Sequence, residues 1–498
     1  MAPRGPGLGM VWEKPVDPIR AAADLRAMAD LGVRAIRTNI WEDGPLFDLA
    51  DTLGILVFQE LPVRYATAPS LADSLAYILR HVDRIREGGR VYALGLAYAP
   101  DTFNPETCRL LGEMSAAAAD SLHTYIVSEF EADESCPGSV DLIFLREDRS
   151  RTIPGTQSGE ISFAVNSGRT MLETEGAEQT EYFANRLPDR LSSGVWTFIY
   201  RWADAPDPTA FAARPGRGNW GLHRDDGSSR PALAVVEGAA RRSQRAFPRP
   251  VPLPPASPAN GYVLAGWTMV LALLLVYAQS PRFRSMSGRY FAAHGIYRRT
   301  VADNRDDLTV SNVTVLLCVS LLFGMVGERA LRSYADHRAY AALWSWSGEG
   351  TRAVLNSLME SPVMLSLLIA LLALLVVLLW MIVWYLLAAR TSGGTFSQVM
   401  TLSIWPRWPV LATLPVVMLV AAGSWGDAAA RLSVVWVLAT GVWSTVRTNL
   451  DASRVLRLRP LGVTLLWLSA PIVPLLLAAL LLAGRYADKL HYLGQLAR

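Results

Sequence analysis

Apolar residues between positions 24 and 62 fall into four successive segments of alternating helical and strand period. Over Asp24 to Leu31, the residues Leu25, Met28, Ala29 and Leu31 recur at helical spacing, Gly32 ends the helix, and Val33 to Ile36 is a short apolar run. The pattern then repeats with Phe47, Leu49, Ala50 and Leu53 on one helical face, Gly54 as the cap, and Ile55 to Phe58 as the next apolar run. Two helix–strand units with short connections and uninterrupted apolar strands predict a parallel sheet covered on both faces, in a barrel or a doubly wound fold. Residues 1 to about 240 continue the alternation. Strands are predicted at Val91–Leu96, Tyr125–Val127, Val140–Phe144, Ile161–Val165 and within GVWTFIYRWAD, and a helix at EGAEQTEYFANRL through Ala177, Thr180, Tyr182, Phe183 and Leu187.

Beyond this region the pattern changes in kind. Residues 241–260 are rich in Pro and Arg and read as a semi-rigid linker. Long apolar stretches follow at Gly261–Gln279, Leu308–Val326, Val363–Leu387, Val410–Trp425, Leu432–Val446 and Leu461–Ala483. Six membrane spans are therefore expected, the first, third and sixth long enough to cross hydrocarbon alone. The expected division is 1–240, a soluble α/β domain; 241–260, the linker; and 261–498, an all-α transmembrane domain.

Composition agrees with a membrane-bound part, since the 498-residue chain is 51% hydrophobic and only 18% charged. A net charge of +3 gives no strong attraction to nucleic acid, and none is expected as a partner. Loop charges set an orientation. Arg282, Arg284, Arg289, Arg298, Arg299 and Arg305 follow the first span, and Arg447, Arg454, Arg457 and Arg459 precede the last. Placing both groups in the cytosol puts the N-terminal domain and the C-terminal tail outside, at the cost of Arg329, Arg332, Arg338 and Arg352 in an external loop. The opening residues MAPRGPGLGMVWEKP lack the apolar core of a signal peptide, so the natural protein is expected to begin upstream.

The run from 24 to 62 resembles the catalytic barrel of glycoside hydrolase family 2 and its wider clan. The residues that carry the resemblance are Leu31, Gly32, Arg37 and Thr38, then Phe47, Asp48, Asp51, Gly54, Ile55, Glu60 and Pro62. A second match lies in NWGLHRDDGSSRPALAVVE, through Gly221, Leu222, Asp226, Gly227, Pro231 and Ala232. The resemblance spans about residues 17–240 and implies a (β/α)₈ TIM-barrel-like domain. Because the family's barrel starts with a strand before its first helix, and only Leu8–Trp12 is apolar upstream of Asp17, the first strand is expected to be missing.

The resemblance also implies a retaining glycosidase site with two carboxylic acids about 5 Å apart at the C-terminal mouth of the barrel. The family's acid/base Glu follows strand four in an Asn-Glu-Pro motif. Aligned on Pro100, this chain has Ala99 there. The nucleophile belongs after strand seven, where Asn166 stands; an alternative alignment on Thr170–Glu175 brings Glu173 or Glu175 near the site. Glu60, Asp101 and Glu173 are the substitutes for the lost acids, with Glu129 and Glu131 after strand five also facing the mouth. The plainer reading makes these carboxylates loop solvation or ion-pair partners of Arg37 and Arg64. Arg37, Trp41, Tyr98, Asn166 and Trp196 are the substrate-binding candidates, and Tyr65 and Trp202 are further rings able to stack on a sugar or to pack the rim.

Other patterns lead elsewhere. Gly216, Gly218 and Gly221 fit a G-x-G-x-x-G pattern, but no helix opens on the last glycine, so a loop is expected rather than a nucleotide site. His81, His123 and His223 lack metal-ligand spacing, and no metal or cofactor is expected. Cys108, Cys136 and Cys318 offer neither a zinc spacing nor a disulfide framework, though one pairing stays open. From Gly393, GGTFSQVMTLSIWPRWPVLATLP resembles the Rab-interacting Yip family of multi-pass proteins through Gly394, Phe396, Pro409 and Pro415. Few ionisable residues lie inside the spans, which argues against a proton relay. The expectation is a multi-pass membrane protein with an extracytoplasmic glycosidase-like barrel that has lost its acids but binds carbohydrate. The alternatives are an active O-glycosidase with relocated carboxylates, and a membrane-organising protein whose barrel recognises a partner.

Overall fold

A computed structural model of the chain describes residues 7–88, 90–118, 122–128, 136, 138–146, 162–167, 177–192, 196–204, 221–224, 226–241, 261–303, 308–334, 338–391, 394–421, 427–456, 458, 460–470, 473, 477, 480–481 and 487–496. The chain forms two compact units. One comprises residues 1–256 together with 337–356 and 488–498, and the other residues 257–336 and 357–487. Both are discontinuous in sequence, whereas hydropathy divides the chain at a single linker.

The first unit is built on β1 (Leu8–Val11), α1 (Pro18–Asp30), β2 (Ala35–Asn39), α2 (Gly44–Thr52), β3 (Leu56–Glu60), α3 (Ala68–Gly88), β4 (Ala93–Tyr98), α4 (Pro105–Ala118), β5 (His123–Ser128), β6 (Leu142–Arg146), β7 (Ser162–Ser167), α5 (Ala177–Ser192), β8 (Trp196–Tyr200) and α6 (Pro231–Ala240). All eight strands are parallel and pair in chain order, and β1 pairs β8 to close the circle. Local chemistry starts the early helices. Asp17 and Asp43 accept hydrogen bonds from the amides of Ile19 and Leu46, each with a proline in the first turn. Gly32 and Gly54 follow α1 and α2 with φ of +90° and +70°, in agreement with the caps read from sequence.

The first strand is present, contrary to expectation. Leu8–Val11 pairs β2 through Gly9↔Ala35 and β8 through Gly9↔Phe198. Gly9 weakens the strand signal in sequence, yet it is required, because a Cβ there would lie 2.5 Å from the Phe198 ring. Gly95 makes the same allowance for Tyr125, with 2.6 Å to the ring. These two approaches let four aromatic side chains fill the barrel interior. Phe198 contacts Phe144 at 4.9 Å and Phe58 at 5.5 Å between centroids, and Tyr125 contacts Phe144 at 4.9 Å. The interior is a packed core rather than a pore. Behind β8 the returning segment is fixed by Arg230, whose NH1 and NH2 donate to Asp204 at 2.9 and 2.5 Å and whose NH1 also donates to the Gly221 carbonyl. Cys108 and Cys136 form a disulfide, a pairing their sequence spacing of 28 residues does not announce.

The remaining helices are α7 (Gly261–Gln279), α8 (Pro281–Ala292), α9 (His294–Ala302), α10 (Thr309–Tyr334), α11 (Arg338–Ser345), α12 (Glu349–Glu360), α13 (Pro362–Thr391), α14 (Phe396–Ile404), α15 (Trp408–Leu411), α16 (Leu414–Ala421), α17 (Asp427–Val455), α18 (Pro460–Ser469) and α19 (Ala487–Leu496). Of these α11, the start of α12 and nearly all of α19 belong to the first unit. In the second, a 3₁₀ turn at Trp405–Arg407 lies at the centre. The Trp405 ring contacts Phe283 and Tyr290, and its Nε1 donates to Asn312 Oδ1 at 3.1 Å. The buried Asp451 carboxylate of α17 receives Arg298 Nε at 2.7 Å and faces His294 Nε2 at 3.0 Å, tying α9 to α17. Among the described residues, Gly261–Gln279, Thr309–Leu331 and Pro362–Arg390 are long and apolar enough to cross a membrane.

Because Gly9 and Gly95 admit the aromatic core, Gly95→Ala should destabilise the first unit by about 1–3 kcal/mol. Chemical denaturation followed by near-UV circular dichroism measures it. The companion Gly95→Ala/Tyr125→Leu should recover part of the loss.

Candidate functional site

The C-terminal ends of the strands form the mouth, and at its centre β2 and β3 contribute Arg37 and Glu60. The alternation of the strands turns both inward above Phe58, and both are about 1% exposed. Arg37 Nε lies 3.4 Å from Glu60 Oε2, and its guanidinium stands 5.1 Å over the Phe144 ring. Burial pushes the Glu60 carboxyl above its ordinary range, while Arg37 and then Arg64 pull it back. The ion pair and the upward shift are opposing effects on one group, and at this depth desolvation is the larger. Glu60 is thus engaged with Arg37, as the plainer reading of the sequence holds.

Strand β4 runs two residues further than its apolar run suggests, so that Tyr98 ends it and Ala99 begins the loop. Ala99 has φ of +47°, and its amide donates to the Val127 carbonyl at 2.6 Å. The same loop is covered by the unit's distant segments. Tyr492 of α19 donates its hydroxyl to the Ala99 carbonyl at 2.7 Å, and Trp346 donates its Nε1 to the Tyr65 carbonyl at 3.0 Å. Tyr65, Ala99, Ala341, Ala342, Tyr492 and Leu496 make one buried apolar cluster. Lys489 stands 5.0 Å over the Trp346 ring. Ala99 therefore lies under a layer of the unit's own residues. Neither segment is recognisable as part of the site from sequence, since both lie beyond apparent membrane spans.

Asp101 lies just past this loop, 3% exposed, with Oδ1 lacking a hydrogen-bond partner. Burial raises its carboxyl, His491 and the amides of Phe103 and Asn104 oppose the rise, and Asp488 adds to it. Its folded value exceeds its unfolded one. The stability it contributes is therefore complete below the ordinary carboxylate range and is lost as pH rises through the folded value.

The other expected residues separate. Tyr98 is at the mouth, its ring 5.8 Å from Tyr65 and beneath Arg64 at 5.6 Å. Trp41 follows β2, in the loop that leads to α2. It is 5% exposed, edge-on to Trp12 and Phe47, and lines a separate cavity of about 390 Å³ beside α2 and α3 with Gln59, His81 and Arg84. Trp196 begins β8 at the opposite end of the barrel and packs on Phe58 and Phe198, so it joins the aromatic core. Trp202 is likewise buried, against His223 at 4.4 Å. Asn166 lies in β7 opposite Phe198 and Arg146, with its backbone alone described. Glu173, Glu175, Glu129 and Glu131 lie outside the described residues. Among the described residues no cluster of His, Cys, Asp or Glu is placed to hold a metal ion.

No protein-family model matches the chain, and no curated protein matches it. Solved structures do. A family 2 beta-galacturonidase from Eisenbergiella tayi bound to galacturonate is 17% identical with a TM-score of 0.39, over 48% of this chain and 52% of its own. A Bifidobacterium dentium beta-glucuronidase complexed with coumarin-3-O-glucuronide is 14% identical with a TM-score of 0.40, over 48% and 46%. A Ruminococcus gnavus beta-glucuronidase is 15% identical with a TM-score of 0.41, over 48% and 51%. The chain spans about half the length of these structures.

Glu60→Gln should cost about 3–5 kcal/mol by leaving Arg37 buried without its anion, and Glu60→Gln/Arg37→Met should restore much of it. A double-mutant cycle by urea denaturation reads the coupling. Asp101→Asn should leave stability at neutral pH equal or higher and flatten its decline above the ordinary carboxylate range, which melting temperature against pH measures.

Proposed function

We propose that the first unit is a (β/α)₈ glycosidase-type barrel that has given up hydrolysis and serves as a carbohydrate-recognition module outside the membrane. The single observation that carries this reading is the loop after β4. Where the family motif implies the acid/base, the chain has Ala99, and the Ala99 carbonyl is taken by the Tyr492 hydroxyl. A retaining mechanism requires two carboxyl groups flanking one bond. Here the carboxylate at the centre of the mouth is held by Arg37, and the sequence alignment assigns Asn166 to the nucleophile position. An asparagine amide at that place does not form the glycosyl ester, but its oxygen accepts and its nitrogen donates hydrogen bonds to sugar hydroxyls. Tyr98 provides the apolar surface for a sugar face.

The second unit we take as a multi-pass membrane domain of six spans, related to the Yip family. In the stretch that carries that likeness, Thr395 and Gln398 form a capping box before Phe396–Ile404, and Pro409 and Pro415 open the next two helices. Two features support an external barrel. Its Cys108–Cys136 disulfide fits an oxidising compartment. Residues 1–256, 337–356 and 488–498 share one compact unit, which supports a topology with all three segments on one side of the bilayer and an even number of crossings in each intervening stretch. Two helices of spanning length lie in the first stretch, Gly261–Gln279 and Thr309–Leu331. The covering of Ala99 by peptide segments also favours a second reading, in which the mouth is a surface for protein rather than sugar.

The reading is tested with the purified full chain in nanodiscs. Aryl glycosides and glucuronides should give no turnover above the blank, while a glycan array should give binding that Tyr98→Ala weakens about tenfold, the effect of losing one stacked ring. Turnover abolished by Glu60→Gln or Asp101→Asn would establish the enzyme instead. Absence of both turnover and sugar binding would leave the protein-docking reading.

A further inference from the structure

Immediately after α7 the chain carries a run of cations without acids. Between residues 280 and 302 stand Arg282, Arg284, Arg289, Arg298 and Arg299, and no Asp or Glu. Arg298 is committed to the buried Asp451, and Arg289 donates to Thr300 Oγ1 at 3.2 Å. Arg282, Arg284 and Arg299 are exposed and have no ion-pair partner among the described residues. The helices that carry them are amphipathic. Phe283, Met286, Tyr290, Tyr297 and Val301 are buried, while Phe291 and Ile296 remain 65% and 54% exposed beside the arginines. Exposed apolar side chains interleaved with cations that have no ion-pair partner among the described residues make a surface suited to a lipid headgroup region.

This surface adjoins an open apolar cavity of about 1000 Å³ on the surface of the second unit. Its walls are almost wholly apolar: one face of α7 from Trp267 to Tyr277, Phe291 of α8, and Trp408, Pro409 and Met418 across from them. Gly266 allows α7 to approach α16 at one end, since a Cβ there would meet the Met418 side chain at 2.6 Å. Arg284 lies seven residues before Phe291, two turns along the same helical stripe, so a cation and a cavity-lining ring share one face of α8.

We infer that this cavity and the α8–α9 surface together form a binding site for one anionic phospholipid, with an acyl chain between α7 and α16 and the phosphate on Arg282, Arg284 and Arg299. Apolar walls of this volume match a hydrocarbon chain, and the guanidinium groups of Arg282, Arg284 and Arg299 on the adjoining helices, without an ion-pair partner among the described residues, select against a headgroup of no net charge. The site is independent of the reading given for the barrel and uses none of its residues.

The test is retention of lipid by the full chain. Purified from nanodiscs containing equal phosphatidylglycerol and phosphatidylcholine, the protein should retain one phosphatidylglycerol in native mass spectra, in clear preference to phosphatidylcholine. Arg282→Gln/Arg284→Gln/Arg299→Gln should reduce that preference about a hundredfold at low salt, as expected for three surface cations, whereas the triple Lys variant should keep it. Leu274→Trp, which fills the cavity and leaves the arginines, should abolish retention of either lipid. Equal retention of both lipids by the unaltered chain would overturn the proposal, as would an unchanged preference in the triple Gln variant. Inorganic phosphate should not displace the lipid, and displacement at millimolar phosphate would assign the site to a free anion and reject the phospholipid.

Discussion

The first unit depends on the filling of its barrel. Eight parallel strands in a closed circle enclose a volume that must hold side chains, and here it is taken by the rings of Phe58, Tyr125, Phe144 and Phe198. Such large groups fit only where a neighbouring strand has no side chain of its own, at Gly9 beneath Phe198 and at Gly95 beneath Tyr125. The rings in turn make the floor on which the mouth stands. Arg37 rests over Phe144, and the Tyr125 hydroxyl donates to the Gln59 carbonyl at 3.2 Å, next to Glu60. The ion pair at the centre of the mouth is therefore held against aromatic faces and away from water, and its electrostatics follow from the packing below it.

Much of this organisation was legible in the chain. The α1 to β3 series gave itself away through periodicity, caps and glycines, and the late segment around Asp226, Gly227 and Pro231 does lead into α6. Illegible features have definite physical reasons. A four-residue strand containing Gly9 carries too little β-signal to stand out, because its value lies in what Phe198 needs and not in its own propensity. Trp196 and Trp41 looked like sugar platforms since an aromatic near a strand reads the same in sequence at the mouth, the base or the flank. Their packing on Phe58 and Phe198, and on Trp12 and Phe47, separates these cases. The Cys108–Cys136 pair was hidden for a related reason, since proximity across 28 residues is a property of the folded loop.

The site was legible only in part. Arg37, Glu60 and Tyr98 lie in β2, β3 and β4 and Ala99 just after β4, and Glu60 pairs with Arg37. The cover over Ala99 was beyond reach, because Tyr492 and Trp346 sit in segments whose hydropathy context belongs to the membrane half. Hydropathy assigns residues to an environment by their neighbours in sequence. Short polar returns between spans are assigned as loops even when they complete another fold.

The contacts made by Tyr492 and Trp346 have a consequence for the order in which the protein is made. They join residues 393 and 281 positions apart. A barrel that closes through β1 and β8 has its strands complete by residue 200, yet the loop after β4 acquires its last partner only when nearly the whole chain has left the ribosome. Domains ordinarily fold as they emerge, amino-terminal part first. In this protein the strand circle can close while residues 201 to 486 are still to be synthesised. The arrival of α19 then brings the Tyr492 hydroxyl to the loop after β4, so the mouth of the barrel is the last part of the early fold to be finished.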